Sequence, residues 1–163
     1  MPDTLVLVGP MGSGKSTLGK RLSKELGVPF LDTDKMISAD HGAITKIFET
    51  KGEDHFRALE TQYLKKAIES GGIVATGGGI VVAQANQELL RGKKVVFLDT
   101  SSEHVIGKIN LNKRPLLKDN PERWDEIYLE RKPIYESVAT ATLFTGGKSI
   151  KSLIAQLKEI YSS

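Results

Sequence analysis

An apolar run, Thr4-Leu5-Val6-Leu7-Val8, leads directly into Gly9-Pro10-Met11-Gly12-Ser13-Gly14-Lys15-Ser16-Thr17, after which Leu18, Leu22 and Leu26 recur at helical spacing and Gly27 marks a stop. A buried strand, a glycine-rich turn and a helix in immediate succession commit the start of the chain to one unit of an open α/β sheet. The turn follows the pattern Gly, any four residues, Gly-Lys-Ser, and phosphate chemistry explains that spacing. Glycines let backbone N–H groups turn inward on phosphate oxygens, and the N-terminus of the following helix favours negative charge. The expected nucleotide contacts are therefore Gly12, Ser13, Gly14, Lys15, Ser16 and Thr17. Lys15 is expected to reach the terminal phosphates of ATP or GTP, and the Ser16 hydroxyl to hold Mg²⁺. A chance Gly-rich turn would need neither the strand before it nor the helix after it.

The same alternation continues along the chain. Apolar runs near 4–8, 29–31, 73–76, 95–98 and 142–145 predict strands, and helical patterns fall near 15–26, 34–41, 44–50, 53–69, 84–91, 102–109, 121–137 and 149–161. This order predicts one α/β domain over 1–163 with a mainly parallel sheet and helices on both faces. A length of 163 residues, 39% apolar, is enough for one real core and too short for a multidomain motor. No cysteine is present, which excludes disulfides, thiolate metal sites and cysteine nucleophiles, and His41, His55 and His104 lack metal-ligand spacing. A formal charge of +3, spread along the chain rather than set beside aromatics, favours a small anionic ligand over nucleic acid. No apolar stretch is long enough to cross a membrane, and the N-terminus enters its first strand without a charged leader, so the expectation is a cytoplasmic protein with no membrane partner. The stretch 110–121, with Lys113, Arg114, Pro115, Lys118 and Asp119, has no clear periodicity and reads equally as a surface loop or as a lid over phosphates.

In parallel sheets ligands sit outside the carboxyl ends of the strands, so residues just after each strand carry the functional expectation. Asp32-Thr33-Asp34 follows the second strand. A lone Asp there would be a helix cap, but two carboxylates beside a phosphate loop can divide work between the Mg²⁺ shell and a substrate hydroxyl. Gly77-Gly78-Gly79 follows the third strand, where side-chain-free backbone can approach a ligand closely. Arg57 and Glu60 share a helix face at i, i+3, a spacing that serves a surface ion pair as well as a guanidinium held for a ligand carboxylate. Val95-Val96-Phe97-Leu98-Asp99 ends in an Asp as Mg²⁺-binding strands of nucleotide hydrolases do, but Thr100 stands where many of those enzymes have a catalytic Glu, so Asp99 is read as a strand end.

Taken together, the phosphate loop, Asp32-Thr33-Asp34, Phe56-Arg57-Ala58-Leu59-Glu60, Gly77-Gly78-Gly79, Arg114-Pro115-Leu116-Leu117 and Arg131-Lys132-Pro133-Ile134-Tyr135 resemble the motif set of the shikimate kinases, in that family's order and over residues from about 5 to 140. The resemblance implies phosphorylation of the 3-hydroxyl of shikimate by ATP with Mg²⁺, on the way to aromatic amino acids. It also implies a nucleoside-monophosphate-kinase-like fold with a five-stranded parallel sheet in the order 2-3-1-4-5, an acid-binding region near 32–60 and a mobile lid near 110–121. By position, Asp34 resembles the carboxylate that binds the substrate hydroxyls and can accept a proton, and Asp32 the one that supports Mg²⁺. Arg57 and Arg131 match the clamp on the acid's carboxylate, Glu60 the residue that orients Arg57, and Gly78 and Gly79 the backbone contacts to the ring. Lys15 and Arg114 match the cations on the ATP phosphates. The expected partners are the small molecules shikimate and ATP, and a monomer is expected. Gly107-Lys108-Ile109-Asn110 departs from the family, which often has a base-stacking arginine there, and Ile80-Val81-Val82-Ala83 lacks another arginine often seen. A gluconate-type kinase would have no use for the three glycines joined with Arg57 and Arg131. A GTPase would need Asn-Lys-x-Asp where Asn112-Lys113-Arg114-Pro115 stands, and a catalytically dead relative would have lost Lys15, Asp34 or an arginine of the clamp.

Overall fold

The computed structural model describes residues 3–105 and 122–163. Its elements run β1 (Thr4–Val8), α1 (Lys15–Leu26), β2 (Phe30–Asp32), α2 (Thr33–His41), α3 (Ile44–Lys51), α4 (Glu53–Ser70), β3 (Gly72–Ala75), α5 (Gln84–Leu90), β4 (Lys94–Asp99), α6 (Ser102–Val105), α7 (Arg123–Val138), β5 (Ala141–Phe144) and α8 (Ile150–Ser162). The strands form one sheet in the order β2-β3-β1-β4-β5, every pair parallel. Parallel neighbours cannot be joined by a tight hairpin, which is why a helix intervenes between each pair of consecutive strands. The sheet, its order and the helices agree with the sequence expectation. Arg114, Lys108 and the expected lid at 110–121 lie outside the described residues, as does the second half of the helix expected at 102–109.

β1 occupies the centre, between β3 and β4, and the two faces of the sheet divide its side chains by the strand period of two. Leu5 and Leu7 enter one cluster with Leu18 and Leu22 of α1 and Leu153, Ile154 and Leu157 of α8. Val6 and Val8 enter the other with Leu64 and Ala67 of α4, Leu90 of α5 and Tyr135 of α7. A strand covered on both faces has no solvent side, and so it reads as an unbroken apolar run rather than as an alternation. A third cluster, Ile37, Ile47, Phe56, Leu59 and Tyr63, joins α2, α3 and α4 beyond the end of β2. These three helices are thereby held over the carboxyl edge of the sheet, where the candidate residues of β2 and β3 emerge.

Candidate active site

The phosphate loop ends on Gly14, whose φ of 97° suits a residue without Cβ and which provides no side-chain cap to α1. The first-turn N–H groups of α1 are thereby left to a bound anion, as its charge and the helix dipole favour. Lys15 Nζ donates to the carbonyls of Gly9 at 2.7 Å and Pro10 at 2.9 Å, so the loop folds around its own buried ammonium. The loop is also tied from outside. Thr145 Oγ1, just after β5, donates to the Ser13 carbonyl at 2.9 Å, and Trp124 Nε1 of α7 donates to the Met11 carbonyl at 2.9 Å.

Asp32 caps α2 and at the same time pairs with the phosphate loop. One carboxylate oxygen accepts from the Lys35 amide at 3.2 Å and caps α2, and the other accepts from the Ser16 hydroxyl at 2.6 Å. The Ser16–Asp32 pair is a hard-oxygen donor set at the mouth of the phosphate loop, which suits Mg²⁺, an ion that keeps several waters and takes few protein ligands. Among the described residues no cluster of three or more His, Cys, Asp or Glu could cage a metal by itself. The fit is therefore to an ion shared with phosphates. Asp99 is engaged elsewhere, accepting from Tyr128 Oη at 2.7 Å and from the Thr100 amide at 2.8 Å, in keeping with its expected role as a strand end.

A cavity of about 710 Å³ joins the two halves of the expected site. Met11, Gly12 and Gly14–Thr17 line one side, Asp32, Asp34, Thr76, Gly77 and Gly78 the other, and Lys35, Ser38 and Ala43–Thr45 of the α2–α3 region form a rim that sequence reasoning had not singled out. The glycines after β3 prove necessary for a reason of space. None of Gly77, Gly78 and Gly79 has a positive φ. A Cβ on Gly77 would lie 2.6 Å from Asp34 Oδ1, and a Cβ on Gly79 would fall within the Arg57 guanidinium. Two of the three glycines thus let the Asp34 and Arg57 side chains lie flat against the backbone.

Arg57, Glu60 and Arg131 form a second cluster beside this cavity rather than on its lining. Arg57 Nη1 donates to Glu60 Oε1 at 2.7 Å, and its other edge reaches Glu53 Oε2 at 3.2 Å, so it is gripped from both sides of the helix turn. The second partner, Glu53, was missed in the sequence, although its i−4 spacing is the available signal. Burial alone would lower the Arg57 pKa, but the carboxylates of Glu60 and Glu53 more than offset it and the net shift is upward. Glu60 is only 1% exposed, and its Oε2 meets no hydrogen-bond donor among the described residues. Burial pushes its carboxyl up to about 7, against the opposing pull of Arg57. Arg131, in the middle of α7, is 8% exposed and close enough to Glu60 to act on its charge, as is Asp34. The ambiguity of the Arg57–Glu60 pair is thus resolved by burial: it is no surface ion pair.

The raised Glu60 pKa has a consequence for stability. The folded chain holds this proton more tightly than the unfolded chain, so the stabilisation is complete below about 4.5 and is lost as pH rises through about 7. Denaturant unfolding of wild type and Glu60→Gln is therefore expected to diverge across that window, wild type losing relative stability by up to about 1.4 kcal/mol per pH unit. A difference between the two that stays flat with pH would place the titration elsewhere.

The shikimate kinase family model matches residues 11–161. A shikimate kinase of Rhodococcus jostii is 40% identical over 98% of this chain and 100% of its own length. A Streptomyces coelicolor shikimate kinase is 42% identical over 89% of the chain and 87% of its own. Among solved structures, shikimate kinase from Acinetobacter baumannii in complex with shikimate superposes with a TM-score of 0.92 at 36% identity, covering 98% of this chain and 93% of that one. The enzyme from Aquifex aeolicus gives 0.82 at 31% identity, covering 98% and 96%.

Proposed function

This chain belongs to the shikimate kinase family, and from that premise we propose how its own residues divide the transfer of a phosphoryl group from ATP to shikimate. The enzyme is a kinase that phosphorylates shikimate with ATP as co-substrate. The observation that carries the residue assignment is a cavity shared by the phosphate loop and by Asp32, Asp34, Gly77 and Gly78. Phosphoryl transfer asks for in-line placement and charge neutralisation more than for covalent chemistry, and a shared cavity is what brings donor and acceptor together.

On the donor side, the backbone of Gly12–Thr17 and the Lys15 ammonium bind the phosphates of ATP. Arg114 joins Lys15 in this role on the strength of its motif, lying outside the described residues. Ser16 would hold Mg²⁺ directly, exchanging its bond to Asp32, which would support the ion through water; when bound, the ion neutralises charge on the terminal phosphates. On the acceptor side, Asp34 binds the ring hydroxyls and takes the proton from the attacking 3-hydroxyl. Arg57 and Arg131 grip the carboxylate of the acid, a planar anion that a guanidinium fork matches. Glu60 and Glu53 hold Arg57 in its orientation. Gly79→Ala would drive a methyl group into that guanidinium while leaving the backbone unstrained. Shikimate binding is therefore expected to weaken by about 1.5–3 kcal/mol, the worth of a hydrogen bond to a charged group, with thermal stability little changed. Calorimetric titration with shikimate checks this, and unaltered affinity would show that Arg57 tolerates displacement.

Among the described residues no helix is long and apolar enough to cross a membrane. A monomer in the cytoplasm, with small molecules as partners, completes the proposal. The direct test is coupled detection of ADP release from ATP and Mg²⁺ with shikimate, gluconate, a nucleoside monophosphate or no acceptor. Release with shikimate alone is expected. Release with another acceptor would reassign the arginine clamp to that compound.

A further inference from the structure

Tyr135 closes the motif Arg131-Lys132-Pro133-Ile134-Tyr135, carries none of the roles assigned above, and is fully buried. Its ring stacks on Phe97 of β4 at 5.0 Å between centroids. Its hydroxyl donates to the carbonyl of Gly78 at 2.5 Å, across 57 positions of sequence. Arg131, four residues earlier on the same helix, lies near enough to act on that hydroxyl. Burial raises the phenol to about 12 although Arg131 opposes the rise, so the group remains a proton donor throughout the working range of pH.

We propose that Tyr135 is a positioning residue for the acid substrate: its hydroxyl holds the Gly78 carbonyl and thereby sets the orientation of the Gly78–Gly79 peptide beside the arginine clamp. The described peptide bonds are all trans, so the carbonyl of Gly78 and the amide N–H of Gly79 point in opposite directions. Fixing the carbonyl on Tyr135 turns the Gly79 N–H away from α7. Gly79 is buried, and its N–H meets no acceptor among the described residues. The other side of this short segment is equally constrained. A Cβ on Gly78 would stand 3.3 Å from Met11 Cγ of the phosphate loop, and one on Gly79 would meet Arg57. Three glycines have the backbone freedom to flip this peptide, and the Tyr135 hydroxyl restrains it beside the turn bonds from Ile80 to Gly77 and Val82 to Gly79. The same hydroxyl lies beside Arg131, so one buried phenol sets both the glycine backbone and one arginine of the clamp. The inference rests on the acid-binding role given to Arg131 and Gly79 under the proposed function.

Tyr135→Phe retains the ring and its stack on Phe97 and removes only the hydroxyl. The expected result is a rise in KM for shikimate of about fivefold to tenfold, the loss of one well-made hydrogen bond, with kcat and the KM for ATP each within about twofold. A drop in melting temperature with both Michaelis constants unchanged, or an equal rise in both, would overturn the proposal, because a merely structural hydroxyl has no reason to favour the acid. Tyr128→Phe, which removes a hydroxyl bonded to Asp99 instead, serves as the comparison and is expected to leave the KM for shikimate unaltered. Arg131→Ala separates the two levels. If it leaves the KM for shikimate unchanged, the clamp itself is wrong; if it raises that KM while Tyr135→Phe does not, only the role of Tyr135 fails. Should Tyr135→Phe not fold, titration of the wild type with shikimate while following the Gly79 amide by NMR decides the matter. A shift of that resonance is expected, and a resonance that does not move would overturn the proposal.

Discussion

Asp34→Asn is expected to lower turnover by about 10²–10⁴-fold, the range over which a positioned general base acts, while leaving the fold intact. Asparagine is nearly isosteric with aspartate, so it can still lie against Gly77, where the absence of a Cβ makes room for the side chain. It cannot take a proton from the attacking hydroxyl. Affinity for ATP should be unchanged, since the phosphate loop approaches the cavity from the other side. Single-turnover measurements with both substrates saturating isolate the chemical step, and near-normal turnover would rule out Asp34 as the base.

Arg131→Ala is expected to weaken shikimate binding by about 2–5 kcal/mol, the usual cost of truncating one partner of a buried charge pair. Arg131 is 8% exposed, so little solvent is at hand to replace the guanidinium. Its removal also takes a positive charge away from Glu60, which is 1% exposed, and that carboxyl should then favour its protonated form further. Titration calorimetry with each substrate measures the effect. An unaltered affinity for shikimate would remove Arg131 from the clamp, and an equal loss for ATP would point to a general disturbance of α7, whose Trp124 also bonds the phosphate loop.

Much of this site is legible in the sequence. Helix α1 spans Lys15–Leu26 as its pattern predicted, and the strands fall within about two residues of their apolar runs. Two aspartates at strand ends differ in what they hold. Asp99 is a strand end, as its neighbour Thr100 suggested, whereas Asp32 turned out to be cap and hydroxyl partner together because a carboxylate has two oxygens. Glu53 went unnoticed because an exposed Glu at i−4 from an Arg is common on any helix, and only the burial of Arg57 gives it weight. The sequence places Tyr135 in a motif without giving it a role, since nothing near it in the chain names its partner.

The phosphate loop, the strand and helix that flank it, the parallel α/β class and the chemical types gathered after each strand can all be read from the amino-acid order. These depend on contiguous residues and on short periods, which are set by backbone geometry. Only packing in three dimensions shows that Gly77 and Gly79 make room for Asp34 and Arg57, that burial raises the Glu60 carboxyl to about 7, and that Tyr135 reaches Gly78. Each of these is a close approach between segments far apart in the chain. Such approaches follow from how α4 and α7 pack onto the sheet, and no local pattern records the space left between two packed elements.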